Sequence, residues 1–240
     1  MKKNVNIAIV GLGQIGGYLL NELKNKSKDI EIKTGKKIRI VAISAKSLNK
    51  KRKFKINKKI FYSNPLNIFK EKKVDILFEC SGSYSDRETA RVHLNQGAGK
   101  LLFSQPADPN VDATVVYGVN QCALEAQHEI VSAASCTTNC ILPVIKVLED
   151  SFGIESGTIT TIHSAMNDQP LLDTHNSLDL RKSRAATASI IPVDTALATG
   201  IGRIIPRMAD RFTAQALRVP TLNVSAMDLT IHTKRKANVK

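Results

Sequence analysis

Apolar positions along this chain form short runs that are separated by segments with helical spacing. Residues 5–10 are almost entirely apolar, which predicts a buried strand, and residues 18–23 then repeat apolar positions along one helix face. The same patterns predict strands at 38–43, 73–80, 100–104, 115–119 and 129–132 and a helix at 86–94. Alternating strands and helices are typical of a parallel sheet that is covered by helices on both faces.

The pattern changes after residue 135, which predicts a boundary between domains of residues 1–135 and 136–240. A helix-like run at 141–148 is followed by a β-rich run at 154–163 and a long polar segment at 164–188. A loop of that length inside a compact chain usually has a function. Two further strand-like runs, 214–219 and 224–232, predict an antiparallel sheet in the second domain.

The first predicted strand leads directly into a glycine-rich turn, and a helix follows it. Gly11, Gly13 and Gly16 form the G-x-G-x-x-G pattern, which in this context indicates a dinucleotide site. Gly11 permits a tight turn, Gly13 lets the backbone approach a pyrophosphate, and Gly16 allows close helix–strand packing. Gln14 and Ile15 open the helix, whose N-terminus favours phosphate groups, so we expect both to contact the cofactor.

Other cofactor contacts are expected where later strands end, because ligands bind at the carboxyl ends of parallel strands. The second strand ends at Ser44 without the carboxylate that usually binds the NAD ribose, and Lys46 follows it. Both side chains suit a 2′-phosphate, so the charge pattern favours NADP or mixed use, and NAD stays open. Ser81, Gly82 and Ser104 end the next two strands and complete the predicted cofactor site.

Composition narrows the class of protein. The longest apolar runs fall short of the roughly 18–20 residues that a membrane helix needs, and the N-terminus lacks a signal-peptide pattern. The four cysteines are sparse and lack zinc-ligand spacing, so no metal site is predicted. A cytoplasmic protein with no membrane partner fits these features best.

The positive charge of the chain is concentrated in its first third. Residues 1–78 hold 20 Lys and Arg against 5 Asp and Glu, whereas the remainder holds 15 against 16. The basic run 50–55 could mark a nucleic-acid surface, a solvated lysine-rich surface, or a part of the chain with a different history. Because no nucleic-acid motif accompanies the run, no nucleic-acid partner is predicted.

The candidate nucleophile is Cys136, which stands in the run 135–140 between a predicted strand and a predicted helix. A cysteine at a helix N-terminus lies in the positive end of the helix dipole, which favours the reactive thiolate. The alternative is a buried structural cysteine beside a helix cap. Cys140 lies one turn further along and is interpreted as structural.

Residues 79–240 resemble the glyceraldehyde-3-phosphate dehydrogenase family of phosphorylating aldehyde dehydrogenases. The motifs that carry this resemblance are Ser135-Cys136-Thr137-Thr138-Asn139-Cys140, His163, Arg218-Val219-Pro220-Thr221 and Asn223-Val224-Ser225. Within the family, the runs 115–120, 161–166 and 190–195 are most similar to erythrose-4-phosphate dehydrogenases. The resemblance implies a Rossmann-type doubly wound parallel sheet followed by an incomplete α+β substrate domain with a mostly antiparallel sheet.

The resemblance also implies roles for individual residues. Cys136 would attack the substrate aldehyde, and His163 would act as the base while hydride passes to NAD or NADP. The implied substrate-phosphate ligands are Ser135, Thr137, Lys182, Thr195 and Arg218. The implied reaction converts D-erythrose 4-phosphate to 4-phosphoerythronate, a step toward pyridoxal phosphate, and glyceraldehyde 3-phosphate is the alternative substrate.

Three further expectations follow from the same resemblance. The family forms homotetramers in which the segment that corresponds to 164–188 lines a neighbour's cofactor site. The family chain continues for roughly another hundred residues, so we expect a truncated substrate domain with an open sheet edge. An inactive dinucleotide-binding module is therefore an alternative to an active enzyme.

Residues 1–78 are more similar to the cofactor half of homoserine dehydrogenases, on the evidence of 11–17 and 41–46. The glyceraldehyde-3-phosphate family would carry an arginine at Gln14 or Gly17 and an acidic residue near Ser44. A join near residues 75–80, where the charge also changes, predicts a fusion of segments from two families, and an unusually diverged family member is the alternative. Homoserine dehydrogenase activity is thus a further alternative.

Overall fold

A computed structural model of the chain describes residues 3–52, 54–166 and 169–238. The described residues form two compact units. The first unit contains the residues up to 116 together with 120–135, and the second contains 117–119 and the residues from 136 onward.

The first unit is built on a seven-stranded sheet in which every pairing is parallel. Its strands are β1 (Asn4–Val10), β2 (Lys37–Ser44), β3 (Phe61–Tyr62), β4 (Val74–Glu79), β5 (Ala98–Phe103), β6 (Ala113–Thr114) and β7 (Ile130–Ser132). The spatial order is β3-β2-β1-β4-β5-β7-β6. The helices are α1 (Gln14–Asn25), α2 (Ser27–Thr34), α3 (Ile68–Glu71) and α4 (Arg87–Asn95).

Alternation along β1 explains why both faces of this sheet are covered. Ala8 and Val10 belong to one buried apolar cluster, whereas Ile7 and Ile9 belong to another that includes Leu20 of α1. Successive side chains of a strand point to opposite faces, so each cluster lies on its own side of the sheet. The predicted doubly wound parallel sheet is confirmed.

The structure of this unit differs from the prediction in two places. Helix α2 was not expected, because its sequence is polar and it buries no residue; it ends at Gly35, whose φ is 66°. The predicted strand at 115–119 is wrong, since the strand ends at Thr114 and a turn follows. The Asn120 side chain accepts a hydrogen bond from the Val116 N–H and donates to the Thr114 carbonyl, which holds the turn.

The second unit contains a four-stranded mixed sheet. Its strands are β8 (Ile154–Ser164), β9 (Ile191–Val193), β10 (Phe212–Val219) and β11 (Ser225–Thr233), and its helices are α5 (Cys136–Phe152) and α6 (Leu197–Ile204). The order is β11-β8-β10-β9, with β8 and β10 parallel and the two outer pairings antiparallel. The predicted α/β fold class is confirmed, although the central pair is parallel.

Helix α5 begins at Cys136, five residues before the predicted apolar run, and packs against β8. Its buried face consists of Thr138, Ile141, Leu142 and Ile145. Pro143 lies inside the helix, where it cannot donate a backbone hydrogen bond. In the part of the chain that the structure describes, no helix is both long and apolar enough to span a membrane.

Candidate active site

The glycine turn of the first unit is a close approach of backbone segments. Gly11 has a φ of 88°, and its N–H donates to the Ser44 carbonyl at 2.9 Å. A methyl group on Gly11 would lie 2.4 Å from the Ser81 backbone nitrogen, and one on Gly16 would lie 1.9 Å from the Gly11 carbonyl oxygen. Side chains are therefore excluded at both positions, and β1, β2 and β4 converge on this turn.

A cavity of about 400 Å³ opens at the carboxyl ends of these strands. It is lined by Val10, Gly11, Leu12, Gly13, Ser44, Ala45, Lys46, Ser47, Lys50, Arg52, Ser63, Pro65, Cys80, Ser81, Ser83 and Tyr84. Four residues from the predicted cofactor site are in this lining: Gly11, Gly13, Ser44 and Ser81. The other five lie outside it: Gln14, Ile15, Gly16, Gly82 and Ser104.

The residues present fit a dinucleotide. A methyl group on Gly13 would meet nothing within 4 Å, so the space beside this glycine is open. Gly13 is also the N-cap of α1, and no side chain caps the helix there. The amide groups of the first turn are thus left for an anionic ligand, as at other phosphate-binding helix N-termini.

Arg52 was missed as part of this site, and its role is structural. Its guanidinium group donates to the carbonyls of Leu12, Ser47, Leu48 and Lys50, at 2.7–3.2 Å. These contacts fold the basic loop against the glycine turn, so Arg52 is not simply part of a solvated lysine-rich surface. The only sequence signal was the basic run itself, which does not distinguish a clamp from a surface cation.

Gln14, Ile15 and Gly16 lie in α1, and Ser104 immediately follows β5. The Ser104 hydroxyl donates to the Gln105 side-chain oxygen at 3.0 Å. Glu79 is fully buried; burial raises the pKa of its carboxyl, although hydrogen bonds from Ser81 oppose this. Burial also raises the pKa of the Cys80 thiol to about 11, so this cysteine is a neutral wall of the cavity at neutral pH.

The second unit brings a thiol and an imidazole together. Cys136 is the first residue of α5 and is exposed, and its Sγ lies 3.9 Å from Nε2 of His163. Along β8, Ile159 and Thr161 are buried, and His163 shares their face because side chains alternate. That alternation turns the imidazole of His163 toward the start of α5.

Arg218 lies directly beside His163, since the two residues are register partners on the parallel strands β10 and β8. Its Nη1 is 2.5 Å from Nδ1 of His163, and its Nε is buried without a partner among the described residues. Nδ1 of His163 is also 2.7 Å from the Ser164 carbonyl oxygen. The structure therefore brings a thiol, an imidazole and a guanidinium group together in one place.

The other predicted phosphate ligands are Ser135, Thr137, Thr195 and Lys182. Ser135 immediately precedes α5 and Thr137 is its second residue. The Thr195 hydroxyl accepts a hydrogen bond from the Leu197 N–H at the start of α6, 3.2 Å away. Lys182 lies in a short 3-10 helix, Leu180–Ser183.

The arginines that flank Lys182 are held by carboxylates. Arg181 pairs with Asp179 and Asp194, and Arg184 pairs with Asp173. The carboxylates keep both guanidinium groups in local ion pairs.

Comparison with known families finds a match in the second half of the chain. Residues 135–240, a little under half of the chain, match the family model described as the glyceraldehyde 3-phosphate dehydrogenase C-terminal domain. This segment is similar to glyceraldehyde 3-phosphate dehydrogenases. Cys136, His163 and Arg218 all lie in it, and the similarity supports an NAD(P)-dependent oxidoreductase of this type.

Similarity to the glyceraldehyde 3-phosphate dehydrogenase C-terminal domain implies NAD or NADP as the cofactor, in agreement with the prediction from the glycine turn. The cavity that fits the dinucleotide lies before the matched segment, in the first unit. Among the described residues, no group of three metal-binding side chains is close enough to hold a metal ion.

Proposed function

We propose that this chain oxidises the aldehyde of a phosphorylated aldose with NAD(P), and that D-erythrose 4-phosphate is its preferred substrate. The observation that carries the proposal is the approach of His163 Nε2 to Cys136 Sγ, at 3.9 Å, with Arg218 in register beside the imidazole. An exposed thiol next to a base is the arrangement that covalent catalysis needs.

The chemistry begins with the transfer of the Cys136 proton to His163 Nε2. The thiolate then adds to the aldehyde carbon, the C=O π electrons move to oxygen, and His163 Nε2 returns the proton to that oxygen to give a thiohemiacetal. Loss of the proton on that oxygen and of hydride from carbon gives the thioester; NAD(P), when bound, supplies the hydride acceptor. Water adds to the thioester carbon and expels the thiolate, which releases the phosphorylated acid.

The substrate phosphate is assigned to Arg218, with Thr137, Thr195 and Lys182 as further donors. The buried Arg218 Nε has no partner among the described residues, and a phosphate oxygen would satisfy it. Guanidinium groups bind phosphate strongly because their planar donors match its oxygens.

Erythrose 4-phosphate is preferred over glyceraldehyde 3-phosphate on the resemblance of 161–166 to the erythrose-phosphate enzymes. Met166, which is 44 % exposed, stands where the glyceraldehyde enzymes typically have a threonine. The family that residues 135–240 match is named for the shorter substrate, so glyceraldehyde 3-phosphate is the second candidate.

NADP is proposed to be accepted at least as well as NAD. Lys46 and Lys50 line the cavity near Ser44, and the lining residues include no carboxylate. A carboxylate would favour the free ribose hydroxyl of NAD, whereas cations favour a 2′-phosphate. Lys46→Glu should therefore raise the Michaelis constant for NADP more than that for NAD.

The central experiment is an assay of NAD(P)H formation by the purified chain with erythrose 4-phosphate, glyceraldehyde 3-phosphate or homoserine. Higher kcat/KM for erythrose 4-phosphate supports the proposal, and a preference for glyceraldehyde 3-phosphate overturns the substrate assignment. Turnover of homoserine alone would support the hypothesis that residues 1–78 define the activity. Cofactor binding without any turnover would support the inactive dinucleotide-binding module.

We propose that the chain self-assembles, as a tetramer like that of the family it resembles. The long segment before β9 supports this proposal. Large apolar side chains there are exposed: Leu171, Leu172, Leu178, Leu180 and Ile190. Clustered exposed apolar residues are typical of interaction surfaces. Light scattering of the purified chain tests this, and a monomeric mass at micromolar concentration would contradict it.

A further inference from the structure

Nδ1 of His163 lies between two atoms of opposite hydrogen-bonding character. Nη1 of Arg218 is 2.5 Å away, and the Ser164 carbonyl oxygen is 2.7 Å away. A guanidinium nitrogen can only donate, and a carbonyl oxygen can only accept. One ring nitrogen has either a proton or an in-plane lone pair, so Nδ1 can satisfy only one of these neighbours.

The two choices have opposite consequences for Cys136. If Nδ1 carries the proton and donates to the Ser164 carbonyl, the lone pair of Nε2 faces Sγ and can take the thiol proton. If Nδ1 accepts from Arg218, the proton is on Nε2, and His163 cannot act as the base. A doubly protonated ring would place two cations 2.5 Å apart, which the contact with Arg218 also opposes.

Arg218 is well placed to leave this contact when an anion binds. Its Nε is a buried donor without a partner among the described residues, so the guanidinium group is incompletely satisfied beside His163. A phosphate offers several acceptor oxygens and a charge of opposite sign, which is a stronger attraction than a neutral imidazole nitrogen. Phosphate binding and the Arg218–His163 contact therefore compete for the same guanidinium group.

We propose that Arg218 gates the base: without a phosphoryl group it holds His163 as the Nε2–H tautomer, and a bound phosphoryl group draws it away from Nδ1. His163 then loses the Nε2 proton to solvent and gains one at Nδ1, which donates to the Ser164 carbonyl. The net charge is unchanged, and Nε2 becomes a base for Cys136. This inference rests on the proposed function only in taking a phosphorylated substrate as the natural trigger.

The test measures thiol reactivity and needs no dehydrogenase activity. Iodoacetamide labelling of Cys136 is followed by mass spectrometry in a Cys122→Ser, Cys140→Ser background, with inorganic phosphate as the probe. We expect phosphate to accelerate labelling about tenfold, the size expected for one charge-assisted hydrogen bond. Potassium chloride at equal ionic strength is the control.

In Arg218→Met, the direction in which the labelling rate of Cys136 changes distinguishes the gate from a simple charge effect. Methionine cannot donate to Nδ1, so the gate predicts faster labelling without phosphate, by about tenfold, and no response to phosphate. If Arg218 only stabilised the thiolate as a nearby cation, labelling would slow instead. Slower or unchanged labelling in this variant overturns the proposal.

A second measurement on the unaltered side chains covers the case in which Arg218→Met does not fold. The ¹⁵N shifts of labelled histidine distinguish Nδ1–H from Nε2–H, and loss of one signal in His163→Gln assigns it. We expect Nε2–H without phosphate and Nδ1–H with it; one tautomer under both conditions overturns the gate. Absence of aldehyde oxidation with the tautomer change intact would instead refute the proposed function alone.

Discussion

The two units support function in different ways. In the first, the cofactor cavity is shaped by backbone, and the decisive positions are those where no side chain fits, such as Gly11 and Gly16. In the second, the site is made of side-chain atoms, with Cys136, His163 and Arg218 at hydrogen-bonding distances or close to them. We therefore expect substitutions that add side-chain atoms at these glycines to disable the first unit. Substitutions that remove side-chain atoms from the site should disable the second.

The thiols of Cys80 and Cys136 show the same difference between the units. Cys80 of the first unit is half-buried and its thiol has a pKa of about 11, whereas Cys136 of the second unit is exposed beside an imidazole. A cysteine in the cofactor cavity is thus part of a wall, and one at the start of α5 is available for reaction. Environment, rather than residue type, separates their roles.

Cys136→Ser should have the largest effect on activity. A serine hydroxyl is far less acidic than a thiol, so aldehyde oxidation should fall by at least about 10³-fold. NAD(P)H formation measures the rate, and fluorescence titration of NADPH should show unchanged cofactor binding because the cavity lies in the first unit. Retained oxidation in this variant would exclude the thiohemiacetal route.

Gly16→Ala should be the most damaging single change in the first unit. Its methyl group would lie 1.9 Å from the Gly11 carbonyl oxygen, so we expect the free energy of unfolding to fall by about 3 kcal/mol. Urea denaturation measures this value.

Gly13→Ala is the matched control, since its methyl group meets nothing within 4 Å. We expect stability to change by no more than about 0.5 kcal/mol and NADP affinity to fall about tenfold, because the methyl group occupies the space assigned to the pyrophosphate. Equal destabilisation by both substitutions would contradict the close packing described for Gly16.

The sequence was sufficient to predict most of the first unit because its signals are local. Strand β1, the glycine turn and helix α4 follow from short patterns, and the Asp86 side chain accepts a hydrogen bond from the Thr89 N–H at the start of α4. The run 115–119 was wrongly predicted as a strand because several of its residues are apolar. The hydrogen bonds of the Asn120 side chain instead stabilise a turn there. The pattern of hydrophobic positions does not reveal that side-chain hydrogen bonds to the backbone will compete with strand pairing.

The candidate site was predictable in its residues but not in its contacts. Cys136 was predicted from its place before a helix, and His163 and Arg218 from the resemblance, yet only the β8–β10 register places the guanidinium group beside the imidazole. Likewise, Arg52 reads as one more cation in a basic run, and its carbonyl contacts depend on how the loop folds. Long-range pairing determines both, and one sequence alone does not specify it.

The Cys80 thiol should be alkylated about a hundredfold more slowly than an ordinary exposed thiol in mildly alkaline buffer. The reason is its pKa of about 11, which leaves few thiolates when an ordinary thiol is partly ionised. Cys122, which is exposed, is the internal reference in iodoacetamide labelling followed by mass spectrometry. In concentrated urea the difference should vanish; a fast-reacting Cys80 in the folded protein would contradict its burial.

The smallest expected effect concerns the acid stability of the first unit. Burial raises the pKa of Asp112, but hydrogen bonds from the Ile130 and Glu129 N–H groups and the contact with Arg87 outweigh it, giving a pKa of about 2. Because the folded pKa is depressed, this stabilisation is complete above the ordinary value near 3.9 and is lost as pH falls toward 2.

Asp112→Asn should therefore lower the free energy of unfolding by about 2 kcal/mol at neutral pH and flatten its decline between about pH 4 and 2. Asp150→Asn in the second unit is the control, since its partners Lys146 and Arg207 are exposed and such pairs contribute little. Urea denaturation across this pH range measures both variants. A steeper acid dependence in Asp112→Asn than in the parent chain would mean that the carboxylate does not anchor β7, and the first unit would then owe its acid sensitivity to another group.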